Sequence, residues 1–138
     1  MRKRTKAREF ALQVLYQMDI THSDYDKSLE SFWQSLEEDN IDADLKDFSA
    51  MLVKGVAENL KIIDENISKY AANWELKRMA VVDRNVLRLS CFELLFRDDI
   101  PPKVSINEAV ELAKKYSGGE AGKFVNAILD KIKSEKNK

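Results

Sequence analysis

VVDRNVLRLSCFELLF, residues 81–96, decides how this sequence is read. Its apolar residues are too dense for a surface helix with one buried stripe, and they do not alternate with period two as a half-exposed strand would. The stretch is therefore expected to be a central, largely buried helix, with Asp83 as its N-cap. The segment DDIPPK, 98–103, ends it, because each proline lacks an amide donor and disfavours helix in the residue before it.

Beyond that stop, Ser105-Ile106-Asn107-Glu108 has the form of a capping box, in which serine hydroxyl and glutamate carboxylate satisfy each other's backbone amides. Val104 and Ala109 stand where a hydrophobic staple would close. This helix is expected to end at Ser117-Gly118-Gly119, a glycine supplying the left-handed cap. A last helix carries Phe124, Val125, Ile128, Leu129 and Ile132 and frays into KSEKNK. On the N-terminal side, a short segment from Trp74 to Met79 follows a long helix expected over Leu45 to Tyr70. Asp44 would cap that helix, and Gly55 inside it points to close helix packing. The acidic run EEDNIDAD before it reads as a loop. A helix with Leu29, Phe32, Trp33 and Leu36 precedes the loop. The first helix is expected from about Thr5 to Asp19, with Ala7, Phe10, Ala11, Val14, Leu15 and Met18 on one face. The expectation is an all-α single domain, residues 1–138, of about seven helices, with segments 1–8 and 134–138 mobile.

The totals agree. Among 138 residues, 34% are charged and 44% hydrophobic, with only 4 Gly and 2 Pro, as expected of a helical globular chain long enough to bury a core. The apolar stretch after the charged start is broken by Gln13, Gln17 and Asp19, so it is neither a signal peptide nor a membrane span. A single cysteine, Cys91, cannot form an internal disulfide and suits a reducing cytoplasm. With one histidine, His22, it cannot make a four-ligand zinc site.

Catalytic constellations are not found. GGEAGK, 118–123, lacks a phosphate loop's first glycine, where Ser117 stands, and its hydroxyl, where Phe124 stands. His22 falls in a polar loop, and Cys91 in the most apolar helix, where a packed, inert thiol is expected. The acidic pairs Asp98-Asp99 and Glu37-Glu38 read as solvated surface. No cofactor is implied.

The opening MRKRTKAREF is different. Arg2, Lys3, Arg4, Lys6 and Arg8 precede the first acid, Glu9, in a chain with 23 Lys+Arg and 24 Asp+Glu. Without those five, 18 basic residues face 24 acidic ones. Charge segregated this way attracts a polyanion locally while the body stays acidic. Lys114, Lys115, Tyr116, Lys123 and Phe124 surround the glycine-rich corner, and cations beside aromatics suit single-stranded RNA, whose phosphates they neutralise and whose splayed bases stack. Phe124 also fits the core face of its helix.

These residues resemble the NusB family of bacterial transcription antitermination factors. The likeness runs from the basic start and AREFALQVLYQ through LVKGV and VDRNVLRL to IPPKVSINEAVELAKKY and KFVNAILDKI. It implies an all-helical fold of two packed three-helix groups and a binding protein rather than an enzyme. It further implies a pairing with NusE, a small-subunit ribosomal protein, and joint binding of single-stranded boxA RNA in nascent transcripts, chiefly of ribosomal RNA operons. Other Nus factors and RNA polymerase complete the assembly. By the resemblance, Arg2, Lys3, Arg4, Lys6 and Arg8 form an arginine-rich RNA-binding start. Lys115, Tyr116, Glu120, Lys123 and Phe124 lie in a second RNA-touching region, and Tyr16, Glu75 and Asp83 fall where the family meets NusE. Acidic Asp83 facing a basic protein would speed encounter and fix register.

Two other readings stand beside it. NusB-like domains also serve as accessory RNA-binding modules of RNA cytosine methyltransferases, though no Rossmann-type catalytic domain follows here and a free-standing factor is expected. A helical scaffold without RNA binding would leave the basic run a mere tail. No residue decides between a monomer and a homodimer.

Overall fold

Three- and four-residue apolar spacings recur along the chain, and each recurrence becomes a helix. The computed structural model describes residues 2–36, 40–72 and 74–136. Among them are seven α-helices and no strand: α1 (Lys3–Thr21), α2 (Tyr25–Ser35), α3 (Ala43–Glu58), α4 (Leu60–Tyr70), α5 (Val81–Phe96), α6 (Pro102–Ser117) and α7 (Gly119–Lys136), with a short 3-10 turn at Leu76–Arg78. They divide into two compact units, Met1–Glu58 and Asn59–Lys138.

In the first unit α1 packs on α3, with α2 against both. The apolar face of α1 buries Ala7, Phe10, Ala11, Val14 and Leu15 as its spacing requires. Phe10 meets Phe32 and Trp33 of α2 edge-on, ring centroids 5.4 and 5.8 Å apart, the arrangement aromatic quadrupoles favour. Ser49 of α3, fully buried, donates its hydroxyl to the Ala7 carbonyl at 2.7 Å and ties the two helices.

The second unit is built around α5, which contacts α4, α6 and α7. Val86, Leu87, Leu89, Cys91 and Leu94 are all buried, each fully buried Leu contributing about 1.5–3 kcal/mol. They pack with α4 and α7 residues such as Ile63, Ile67, Leu129 and Ile132, also buried. Arg88, largely buried, forks onto Asp64 of α4 through two bonds of 2.9 and 3.1 Å, the bidentate form in which arginine pairs most strongly with carboxylate.

Several local expectations are corrected. The long helix over Leu45 to Tyr70 is two, broken at Asn59. Val56 and Ile63 keep their seven-residue spacing across the break, so periodicity does not reveal it. Asp42, not Asp44, caps α3, its Oδ1 accepting from the Asp44 and Leu45 amides at 2.8 and 3.2 Å. α5 starts at Val81 with Ala80 at the N-cap, which places Asp83 in the first turn rather than before it. The capping box at Ser105 does not form, because α6 already begins at Pro102. Proline suits a first helical position, where its missing amide would have had no partner. Ser105 is instead buried inside α6, sharing a 2.8 Å hydrogen bond with Ser90 of α5. Val104 is exposed, so no staple closes on it. α1 is helical from Lys3, two residues earlier than expected, and α7 runs to Lys136. Of the segments expected to be mobile, Met1 and residues 137–138 lie outside the described residues, as do Glu37 and Glu38 of the acidic loop.

Candidate nucleic-acid interface

The opening cations of the first unit occupy the first turns of α1, whose first turn holds no acid. The free amides of a helix start carry partial positive charge, which repels cations and attracts anions. Placing Lys3, Arg4 and Lys6 there works against helix stability and concentrates positive potential in one place. The side chains are nevertheless positioned. The Arg4 guanidinium lies 4.6 Å from the centre of the Phe48 ring and that of Arg8 5.3 Å from it, so one aromatic of α3 carries two cations by cation–π attraction. Lys3 reaches Asp42 at 3.2 Å and Asp44 at 3.7 Å. The hydrogen bond and charge of Asp42 raise the Lys3 pKa, and Lys3, with the Leu45 and Asp44 amides, holds the Asp42 carboxyl below its usual range. Lys6 lies 3.7 Å from Glu9, which is buried.

Exposure separates the five. Arg2, Lys3 and Arg4 are exposed and Lys6 is half-buried, whereas Arg8 is only 3% exposed. Arg8 is therefore enclosed beside the Phe48 ring, unlike the four cations before it. Tyr16, five residues before the end of the same helix, is 39% exposed.

In the second unit Gly118 has the expected positive φ at the end of α6 but not the ψ of the expected left-handed cap. Gly118 ends α6 at φ +103° and ψ 176°, a region essentially restricted to glycine, and its amide closes onto the Ala113 and Lys114 carbonyls. At Gly122 a Cβ would come within 2.9 Å of Lys114 Cγ, so the missing side chain lets α7 approach α6. Lys115, Tyr116, Glu120 and Lys123 are all exposed at this corner. The Lys115 ammonium lies 5.5 Å from the Tyr116 ring centre, and Lys123 pairs with Glu120 at 3.5 Å. Phe124 is half-buried and packs edge-on against Trp74, centroids 5.9 Å apart.

Trp74 is the residue that sequence reasoning passed over. It is 55% exposed and stands beside a cleft of about 460 Å³ whose lining includes Asp83, Arg78, Glu120 and Phe124. An aromatic outside every helical period has no core face to serve, and that was the available signal. Glu75 faces a neighbouring hollow with Trp74 and pairs with Lys77 and Arg78, each at 3.7 Å. The fold thus gathers Asp83, Glu120 and Phe124 into one cleft and sets Glu75 on its flank. Asp83 Oδ1 is buried with no hydrogen-bond partner among the described residues, a condition costing about 1–3 kcal/mol until a donor arrives. Cys91 is fully buried, and burial pushes its thiol up to about 12. His22 is exposed at the C-cap of α1 in the left-handed conformation, φ +59°.

Helices alone among the described residues, cations gathered at a helix start and at a glycine corner, and an exposed tryptophan beside a mostly apolar cleft define a small all-helical binding protein. The sequence profile of the NusB family matches residues 5–134, and the chain belongs to that family, one of transcription antitermination factors and not of enzymes. It is 51% identical over 132 residues to the transcription antitermination protein NusB of Anaeromyxobacter dehalogenans (strain 2CP-1), covering 96% of this chain and 91% of the relative. It is 47% identical to that of Myxococcus xanthus, covering 100% and 99%. Among solved structures, T. maritima NusB superposes with a TM-score of 0.85 at 41% identity, covering 96% of this chain and 91% of the other. The antitermination factors NusB and NusE in complex with dsRNA superpose with a TM-score of 0.87 at 31% identity, covering 98% of each chain. No described helix is long and apolar enough to cross a membrane.

Proposed function

We propose that this antitermination factor binds single-stranded boxA RNA in nascent transcripts, chiefly of ribosomal RNA operons, together with the ribosomal protein NusE. The observation that carries the reading is the acid-free basic first turn of α1. Cations placed against a helix dipole oppose local stability, and a local rule broken in this way is expected at functional positions. Arg2, Lys3, Arg4 and Lys6 neutralise phosphates, with Arg8 holding the helix start in place. Lys115 and Lys123 supply further cations, and Tyr116 and Phe124 supply faces on which unpaired bases stack. Glu120 orients Lys123 through their ion pair.

NusE is met by Tyr16 on the first unit and by Asp83, flanked by Glu75, on the second. A donor from a basic protein would satisfy the orphaned Asp83 oxygen. Other Nus factors and RNA polymerase then join in the bacterial cytoplasm, where the reduced state of the lone Cys91 is at home.

Fluorescence anisotropy of a labelled boxA-type RNA and a scrambled control, with and without NusE across a salt series, tests this. Six phosphate contacts to a single strand give a log–log salt slope of about −4, too little for tight binding alone, so affinity and sequence preference are expected to need NusE. Arg4→Ala weakens binding to both RNAs and flattens the slope. Equal binding to both RNAs, indifferent to NusE and to Arg4, would overturn the reading.

A further inference from the structure

The start of α1 and the start of α3 meet within the first unit. The acidic run that reads as a loop thereby delivers carboxylates to the very cations assigned to RNA. Asp42 is fixed there from two sides. Its Oδ1 accepts from the Asp44 and Leu45 amides at 2.8 and 3.2 Å, and its Oδ2 lies 3.2 Å from the Lys3 ammonium. Asp44 Oδ2 adds a second carboxylate oxygen 3.7 Å from the same ammonium. A cap residue needs only one carboxylate oxygen, and asparagine caps as well as aspartate. Capping therefore leaves unexplained both the second oxygen's aim at Lys3 and the addition of Asp44.

We propose that Asp42 and Asp44 hold down RNA affinity at the start of α1 by serving as a built-in counter-charge that a polyanion must displace from Lys3. Any phosphate chain can reach Arg2 and Arg4, but recruiting Lys3 requires breaking a contact already made. The exchange costs every RNA the same amount. It lowers the affinity of every RNA by the same factor, so at a given concentration the partners with least affinity to spare are lost first. The pair is solvent-exposed, with side chains about half accessible, so the contact is labile and screened by salt, as an exchangeable counter-charge must be. The depressed Asp42 carboxyl keeps its charge throughout the neutral range.

The inference rests on the opening cations binding RNA, and one set of variants separates the two claims. Asp42→Asn/Asp44→Asn keeps the cap and removes the charges. It is measured by anisotropy on boxA-type and scrambled RNA, in the parent and in Lys3→Ala, with NusE present. The expected result is roughly 3- to 10-fold tighter binding of both RNAs alike and a salt slope steeper by about 0.7, one recovered contact. In Lys3→Ala the gain largely disappears, because no ammonium is left to release. If Asp42→Asn/Asp44→Asn tightens RNA binding by the same factor with or without Lys3, general repulsion is the cause and the counter-charge is overturned. If the double variant changes neither RNA while Lys3→Ala weakens both, the counter-charge is also overturned and the RNA assignment stands. If Lys3→Ala and Arg4→Ala change nothing, the RNA assignment itself falls, and the counter-charge with it.

Discussion

Ser105 lies inside α6 and shares a hydrogen bond with Ser90 where α5 and α6 touch. The pairing predicts that Ser90→Ala strands a buried hydroxyl and lowers stability by about 1–3 kcal/mol. It also predicts that adding Ser105→Ala costs less than the two single losses combined, as a denaturant-melting cycle can check. The serine was legible as a helix-start signal and misread because Pro101-Pro102 looked like a stop on both sides, when proline blocks only the helix behind it. Cys91 was read correctly, since its setting in residues 81–96 left it no polar surroundings. Its buried thiol, raised to about 12 from the ordinary 9.0, has a testable sign. The folded chain holds this proton where the unfolded chain releases it, so the thiol's contribution to stability is full below about pH 9 and is lost as pH climbs towards 12. At pH 8 the native protein should resist a thiol reagent such as iodoacetamide, and denaturant should expose one reactive thiol. Rapid labelling without denaturant would contradict the buried placement.

At the scale of the element, helix existence was legible and helix edges were not. The break at Asn59 lies between residues whose spacing fits one continuous helix, and the division between the two units falls at that point. The glycine corner was legible because a required positive φ leaves little choice of residue. Gly118→Ala is expected to cost about 1–3 kcal/mol, the penalty for forcing a side chain into that region. The surroundings offer no steric obstacle, with nothing within 4 Å of the added carbon, so the loss would be purely conformational. A melting temperature unchanged by Gly118→Ala would show that the corner relaxes freely. Phe48 belongs to the same scale, because it joins α3 to the basic face of α1 through Arg4 and Arg8. Phe48→Leu keeps an apolar residue and removes the ring face. It should weaken RNA binding several-fold with little change in fold by circular dichroism, and unchanged affinity would show that the guanidinium groups need no such support.

For the molecule as a whole, a count of charges told little and their placement told most. A chain of formal charge −1 reserves an acid-free turn for one end of α1, and the basic run was visible in the sequence as a list of letters. Invisible there was its division into exposed Arg2, Lys3 and Arg4, half-buried Lys6 and enclosed Arg8, because burial depends on where α3 lands. The cleft beside Trp74 was hidden for a similar reason, since its walls come from two separated stretches of chain, 74–83 and 117–124. Lysine footprinting asks directly whether RNA lies on the start of α1 and on the α6–α7 corner. The protein is acetylated with and without boxA-type RNA and NusE, and each lysine is read by mass spectrometry. The account predicts that RNA protects Lys3, Lys6, Lys115 and Lys123 while exposed Lys54, Lys61 and Lys131 react as before. Protection spread evenly over all seven, or confined to the last three, would contradict it.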